Sequence, residues 1–476
     1  MKVLKFCGIL ICIITLYGAA NIEADSFSEW SAFTYNGNQD VRNTSGTTQQ
    51  KKPKNVIIMI GDGMGAGQME IARLFEHGKE GRLFIESLPY TAFVHTYSYN
   101  RIVTDSAAAG TALATGHKTN NGMIGVTPDG EEVESLLDLF KKNEKKTGIV
   151  TTNSVTDATP AAFTASVKNR WSDQRAIAKQ LLSNQVDVIL GGGRQKFIQK
   201  NENGEMLIDQ FKKDRYAYVA NQDELKQSKE KKLLGLFNSG HLSFKIDREE
   251  LKSREPSLTD MSEKAIEALS KDNEKGFFLM IEGARIDHAS HAADLTSVWK
   301  ETIEFDHAVE KVVQWANRMD DTLVLVLADH ETMGISASDA MNIEALKNIQ
   351  VSPHFMGKLL KKQGTFDRAE IKHIFKTYAN IDLTNHEVEA FQAHLKMKGH
   401  SGYSKQHISW EIGSLIAEHY HAGLLNRHSR ALSGTGGHTA NMIPLFATGQ
   451  GAERFHGVLD NTEVPAYIAE LMGYKL

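Results

Sequence analysis

Four apolar runs in this chain end in, or just before, an acidic residue. Asn55–Ile60 leads into Gly61-Asp62-Gly63, Phe277–Ile281 into Glu282, and Leu323–Ala328 into Asp329-His330. Thr147–Thr152 is followed closely by Asp157. Short β-branched or apolar runs of this kind read as buried parallel strands. In an open α/β sheet, ligands sit beyond the carboxyl ends of the strands. Four acids and a His at such ends describe one shared site, and that much negative charge needs cations to hold it together. The pattern points to a metalloenzyme.

A chain of 476 residues can bury a large core, as one domain with insertions or as two domains. Its 41% hydrophobic and 24% charged residues are those of an ordinary globular protein. A net charge of -5 gives no basic footprint, so nucleic-acid recognition is not expected. Residues 1–20 read as a secretory signal: Lys2 and Lys5, the apolar run Phe6–Tyr17, then Gly18-Ala19-Ala20. An anchoring helix is the alternative, but the run is short for a span. Both cysteines, Cys7 and Cys12, fall in this segment. The mature chain then holds no disulfide and no thiolate ligand, so any metal is held by Asp, Glu, His and hydroxyl groups. The product is expected to be exported, periplasmic or extracellular, with no stable membrane insertion after signal removal.

Residues 21–50 are polar and read as a flexible arm. Strand-like and helical runs alternate from about 54 to 335, with a strand at Val186–Leu190 and a helix over Asp294–Arg318. Alternation implies a mostly parallel sheet with helices on both faces, a three-layer αβα sandwich. Residues 194–260, rich in Lys, Glu and Gln, look like a surface excursion. Residues 336–432 are His-rich and helical, with a capping box at Thr384-Asn385-His386-Glu387. Strand logic resumes at Pro444–Thr448. The expected organisation is a catalytic domain over 51–335 and 433–476, interrupted by a helical cap over 336–432.

Ala-rich sequence after Ser106 starts a helix, which puts this hydroxyl near a helix N-terminus, where negative charge is favoured. Asp105 or Ser106 can equally serve as the cap. No general base stands beside Ser106 in sequence, so a metal ion is the better activator. Asp287 and His291 stand four apart, and on a helix both project from one face and can grip one cation. His288 reads as a neighbour of that site rather than a co-ligand. Asp329-His330 at a strand end can meet one metal where the backbone turns. Gly434-Thr435-Gly436-Gly437-His438-Thr439 is a glycine-rich loop with one His; such a His is commonly solvent-facing.

Together these pieces resemble the alkaline phosphatase family from about residue 54 to the C-terminus. The resemblance rests on Ile60-Gly61-Asp62-Gly63-Met64-Gly65, Thr104-Asp105-Ser106-Ala107-Ala108, Asp157-Ala158-Thr159-Pro160, Glu282-Gly283 with Asp287 and His291, Ala328-Asp329-His330, and Gly437-His438-Thr439, all in the family's order. It implies an alkaline-phosphatase-like fold and hydrolysis of small phosphate monoesters through a phosphoserine on Ser106. It implies two Zn2+ ions and one Mg2+ ion. Asp287, His291 and His438 resemble the ligands of one zinc; Asp62, Asp329 and His330 those of the other, which also meets Ser106. Asp62 would bridge to magnesium, completed by Thr159 and Glu282, with Asp157 supporting its waters. Arg170 falls at the place of the family's phosphate-gripping arginine. A homodimer is common in the family, and long insertions could alter that. His288 occupies a position that varies among members. The rival readings are a phosphodiesterase or sulfatase of the same superfamily, or a non-catalytic phosphate- or metal-binding surface protein.

Overall fold

The structure is a computed structural model, and it describes residues 52–363, 366–396 and 406–476. The expected signal (1–20) and arm (21–50) lie outside the described residues. Ten strands form one sheet in the order β12-β2-β11-β8-β1-β7-β3-β4-β6-β5. They are β1 (Asn55–Ile60), β2 (Tyr90–His95), β3 (Lys146–Ser154), β4 (Val188–Gly192), β5 (Ala217–Val219), β6 (Leu233–Leu236), β7 (Phe277–Glu282), β8 (Thr322–Leu327), β11 (Ile443–Gly449) and β12 (Gly457–Asp460). β9 (Glu331–Thr332) and β10 (His438–Thr439) pair with each other outside it. β11 runs antiparallel to both neighbours, β8 and β2; the other pairings in the sheet are parallel.

Every residue of β1, β7 and β8 is buried. Such strands are apolar throughout because helices cover both faces. One layer holds α1 (Ala66–His77), α4 (Leu258–Ser270) and α6 (Leu295–Met319), which pack on one another and on β3 and β8. The other holds α2 (Ser106–Thr115), α3 (Ala158–Ala162) and α10 (Glu463–Met472), with α3 against β3 and β7. The three-layer α/β sandwich expected from the alternation is present. Among the described residues, no helix is long and apolar enough to cross a membrane.

Parallel register aligns the strand ends. Ile60 of β1 lies opposite Glu282 of β7 and Leu327 of β8, and Glu282 lies opposite Thr151 of β3. Asp329, Asp62, Glu282 and Asp157 therefore leave four adjacent strands at one edge, in an order that the chain does not follow.

Two expectations change in detail. Residues 194–260 are more than a surface excursion, since β5 and β6 come from them and complete one side of the sheet. The short strand β5 at that edge is partly exposed, which hides its apolar signal. The strand expected over Val186–Leu190 runs over Val188–Gly192 and takes in two glycines of the following loop. The capping box holds as read, with Thr384 Oγ1 accepting from Glu387 N at 3.2 Å and Glu387 Oε2 accepting from Thr384 N at 2.7 Å. It opens α7 (Asn385–Lys396), which precedes α8 (His407–His419) and α9 (Arg427–Leu432). The β9–β10 ladder, with His438 opposite Thr332, closes the base of this helical stretch. It carries the chain back to the sheet edge.

Candidate metal centre and nucleophile

Asp62 follows β1, in a turn that continues through Gly63 at φ +70°. A Cβ on Gly63 would sit 2.9 Å from Asp287 Cα and Oδ1, so glycine is required for both conformation and space. Gly63 N–H donates to Asp329 Oδ1 at 3.1 Å, tying the ends of β1 and β8 together. α5 (Arg285–His291) begins just after β7 and brings Asp287 Oδ2 to 3.2 Å from His291 Nε2. β10 adds His438, whose Nε2 lies 3.2 Å from His291 Nε2 and 3.6 Å from Asp287 Oδ1. His438, a loop His whose expected ligand role came from the family resemblance and not from its local pattern, is 5% exposed.

Two sets of three ligand atoms converge: Asp287, His291 and His438, and Asp62, Asp329 and His330. The ring protons can be assigned from the other hydrogen bonds. His291 Nδ1 faces Gly436 O at 2.8 Å and His438 Nδ1 faces Thr104 O at 2.9 Å. A carbonyl only accepts, so both Nδ1 atoms carry hydrogen, and in neutral rings both Nε2 atoms are bare. Two lone pairs 3.2 Å apart beside a carboxylate are reconciled by a shared cation. Burial, reinforced by His330, holds His438 well below the usual imidazole range, so its ring is neutral.

The second set follows the same logic. Thr332 Oγ1 donates to Asp287 Oδ1 at 2.7 Å and therefore accepts from His330 Nδ1 at 3.3 Å. His330 Nε2 is then bare, with Asp329 Oδ2 at 3.3 Å, Asp62 Oδ1 at 3.5 Å and Ser106 Oγ at 3.1 Å. This is not a Ser–His–Asp triad, in which the carboxylate holds the opposite ring nitrogen. Asp62 Oδ1, Asp329 Oδ2 and Glu282 Oε1 are buried and accept no hydrogen bond. Burial, then Asp329, Asp287 and Glu282, push the Asp62 carboxyl well above its ordinary range. Burial, opposed by the Thr151 and Thr159 hydroxyls and aided by Asp157 and Asp329, pushes Glu282 up to about 8. Orphaned acceptors and converging lone pairs fit bound cations; His and Asp donors suit zinc, and an all-oxygen set suits magnesium.

Ser106 is the first residue of α2, and Asp105 is its cap, accepting from Ala108 N at 3.0 Å. Asp105 also accepts from Gly122 N at 3.0 Å and from Arg170 Nη1 at 3.3 Å. Arg170 Nη2 donates to Asp157 Oδ1 at 2.8 Å. Two carboxylates, one of them on the residue that precedes Ser106, thus hold the guanidinium. Burial would raise Asp157, but the charges of Arg170 and His241, with hydrogen bonds from Ala158 N–H and Arg170, together outweigh it and lower the carboxyl. Arg285 Nη1 donates to His288 Nδ1 at 2.6 Å, which leaves the His288 ring proton on Nε2. Burial, then His241 and Arg285, hold His288 well below its usual range.

Every site residue expected from sequence lies in this neighbourhood. Sequence reading missed Thr332, Thr151 and His241. Thr332 stands two after His330, so period-two alternation puts both on one side. The His241 ring lies 4.6 Å from that of His288, and burial pushes it down to about 4 against the pull of Asp157. It follows β6, so the strand-end rule applied to Leu233–Leu236 would have found it.

The profile of the alkaline phosphatase family matches residues 53–474. The chain belongs to the alkaline phosphatase family. Alkaline phosphatase 4 of Bacillus subtilis is 33% identical over 454 residues, covering 91% of this chain and 92% of the relative. The crystal structure of Thermus thermophilus alkaline phosphatase superposes with a TM-score of 0.80 at 27% identity, covering 91% of this chain and 95% of that one. The alkaline phosphatase of the Antarctic bacterium TAB5 was solved as a His-to-Asp variant with Mg bound in its M3 site. It gives a TM-score of 0.64 at 27% identity, covering 90% of this chain and all of that one. This alkaline phosphatase is an enzyme that hydrolyses phosphate monoesters.

Proposed function

We propose that this alkaline phosphatase is exported and cleaves a broad range of small phosphate monoesters through a phosphoserine on Ser106. The observation that carries the reading is Ser106 Oγ, 3.1 Å from His330 Nε2 at the N-terminus of α2, directed at the Asp62–Asp329–His330 group. Asp287, His291 and His438 would hold one zinc; Asp62, Asp329 and His330, with Ser106, a second. Asp62, Thr159 and Glu282 would hold magnesium, with Asp157 beside them. Magnesium in the TAB5 relative supports the third site. When bound, these ions make hydroxyl and water nucleophilic at neutral pH and offset the charge of the transferring phosphoryl group.

The chain's own groups do the rest. The first N–H groups and the dipole of α2 favour negative charge at Ser106, first as alkoxide and then as phosphate ester. Ser106 releases its hydroxyl proton to water and Oγ attacks phosphorus, the ester P–O bond breaks, and the leaving alkoxide takes a proton back from that water. A second water then attacks the phosphoserine, releasing inorganic phosphate and restoring the hydroxyl. Arg170, held from behind by Asp105 and Asp157, offers a planar fork to two non-bridging oxygens. A monoester presents more free charged oxygens than a diester, so this fork favours it. The helical stretch over 336–432 is read as an inserted cap on the catalytic domain.

The comparison of an aryl phosphate monoester with the matching diester tests the reading. A large monoester preference in kcat/KM is expected, and a diester preference would overturn it. Arg170→Ala is expected to lower kcat/KM about 10²–10³-fold, as for loss of one charge-stabilising donor. Phosphate inhibition should weaken in parallel; unchanged inhibition would remove Arg170 from the phosphate site.

A further inference from the structure

The helical stretch between His330 and His438 reaches back to one member of the first metal group, His291. The Trp410 indole of α8 stacks on the His291 imidazole, with ring centroids 5.2 Å apart and planes 19° from parallel. One turn along, Gly413 brings α8 against the backbone that follows. A Cβ there would lie 1.7 Å from Ala292 O, so any side chain would force the helix away. Arg430 of α9 donates to His291 O at 3.0 Å, and its guanidinium lies 5.1 Å from the Trp410 ring centroid. Glu411 neutralises Arg430 at 3.4 Å and also holds Arg427 at 2.9 Å. Trp410, Glu411 and Arg430 are all buried. Gly436, at the end of the same excursion, accepts from His291 Nδ1 at 2.8 Å.

We propose that α8 and α9 form a buttress that orients His291 for metal binding, so that zinc at Asp287, His291 and His438 and the packing of α8 are thermodynamically coupled. The inference rests on the zinc reading of that trio. A neutral imidazole binds metal only if its bare nitrogen points at the ion, and free rotation of the ring dilutes that orientation. The indole face blocks rotation, the Gly436 carbonyl fixes the tautomer, and Arg430 and Gly413 fix the backbone that carries the ring. Outer partners of a ligating His are commonly worth 10–100-fold in metal affinity. Coupling is reciprocal, so zinc must in turn steady α8. Trp410 and Arg430 are positioning residues, and the excursion acquires a role in the metal centre.

The test is stepwise removal of zinc from the holoenzyme with a calibrated competing chelator, giving a dissociation constant for each ion. His438→Ala identifies which ion belongs to the trio. Trp410→Ala is expected to weaken that zinc about 10–100-fold and leave the other within a few-fold. Trp410→Phe, which keeps a stacking face, should restore most of the loss. Equal constants in wild type and Trp410→Ala, or equal weakening of both ions, would overturn the proposal. Should Trp410→Ala fail to fold, hydrogen exchange in wild type decides. Amides of 407–419 should exchange faster once the trio's zinc is removed, and unchanged exchange would overturn the coupling. A wild-type protein that takes up no zinc would instead overturn the metal reading on which the inference rests.

Discussion

Ser106→Ala is expected to lower turnover on the order of 10³-fold or more while leaving phosphate binding in place. The covalent route is lost with the hydroxyl, and the residual rate comes from direct attack of water at a site that still binds the phosphoryl group. Arg170, Asp105 and Asp157 keep their mutual bonds without Ser106, so phosphate should still inhibit the variant with a similar constant. The fold should tolerate the change, since Asp105 and not Ser106 caps α2. Incubation of the unaltered enzyme with labelled phosphate ester at acid pH should leave label on Ser106, and the variant should take up none. Turnover within a few-fold of the parent, or label on a different residue, would refute the covalent role.

Chelation is expected to abolish activity, and zinc with magnesium to restore it. Full activity in protein shown to be metal-free would contradict the mechanism. A second effect follows from the buried acids. Asp62, Asp329 and Glu282 all have carboxyl groups raised first by burial and then by neighbouring carboxylates, Asp287 among those acting on Asp62 and Asp329, and Glu282 rises to about 8. A carboxyl raised in the folded state contributes its stability below the ordinary carboxylate range and loses it as pH rises through the folded value. Each pH unit of displacement corresponds to about 1.4 kcal/mol. The metal-free protein should therefore lose stability as pH rises from the ordinary carboxylate range to about 8, read as a falling urea midpoint. In the loaded protein the fall should vanish or reverse, because the ions bind the ionised carboxylates. A metal-free midpoint that rises over this interval would show that the acids are not packed as described.

Much of the site was legible because its chemistry lies in short strand-end motifs. Asp62, Glu282 and Asp329 each follow an apolar run, so the strand-end rule alone located them. The helix that starts at Ser106 and the i,i+4 pair Asp287–His291 were equally local. His438 was not, since a lone loop His is ambiguous until the β9–β10 ladder places it opposite Thr332. His241 escaped because its strand lies in a stretch whose Lys, Glu and Gln masked two short strands. Trp410 and Arg430 had no local signal at all, because their partner is more than a hundred residues away.

By itself, the sequence determined the residue types and the local geometry: buried strands from apolar runs, helix starts from caps, and an acid at or beyond the ends of four strands. Tertiary structure decided which of these meet. Chain order runs β1, β3, β7, β8, but hydrogen-bonded neighbours run β8-β1-β7-β3. Parallel register then brings Leu327, Ile60, Glu282 and Thr151 into one row. Adjacency of strands is a long-range choice, made by packing both sheet faces at once, and no local pattern encodes it. Ring protons were decided in the same way. The Thr104, Gly436 and Thr332 groups that fix them come from distant or turned backbone, and those contacts turn three histidines into bare, converging ligands.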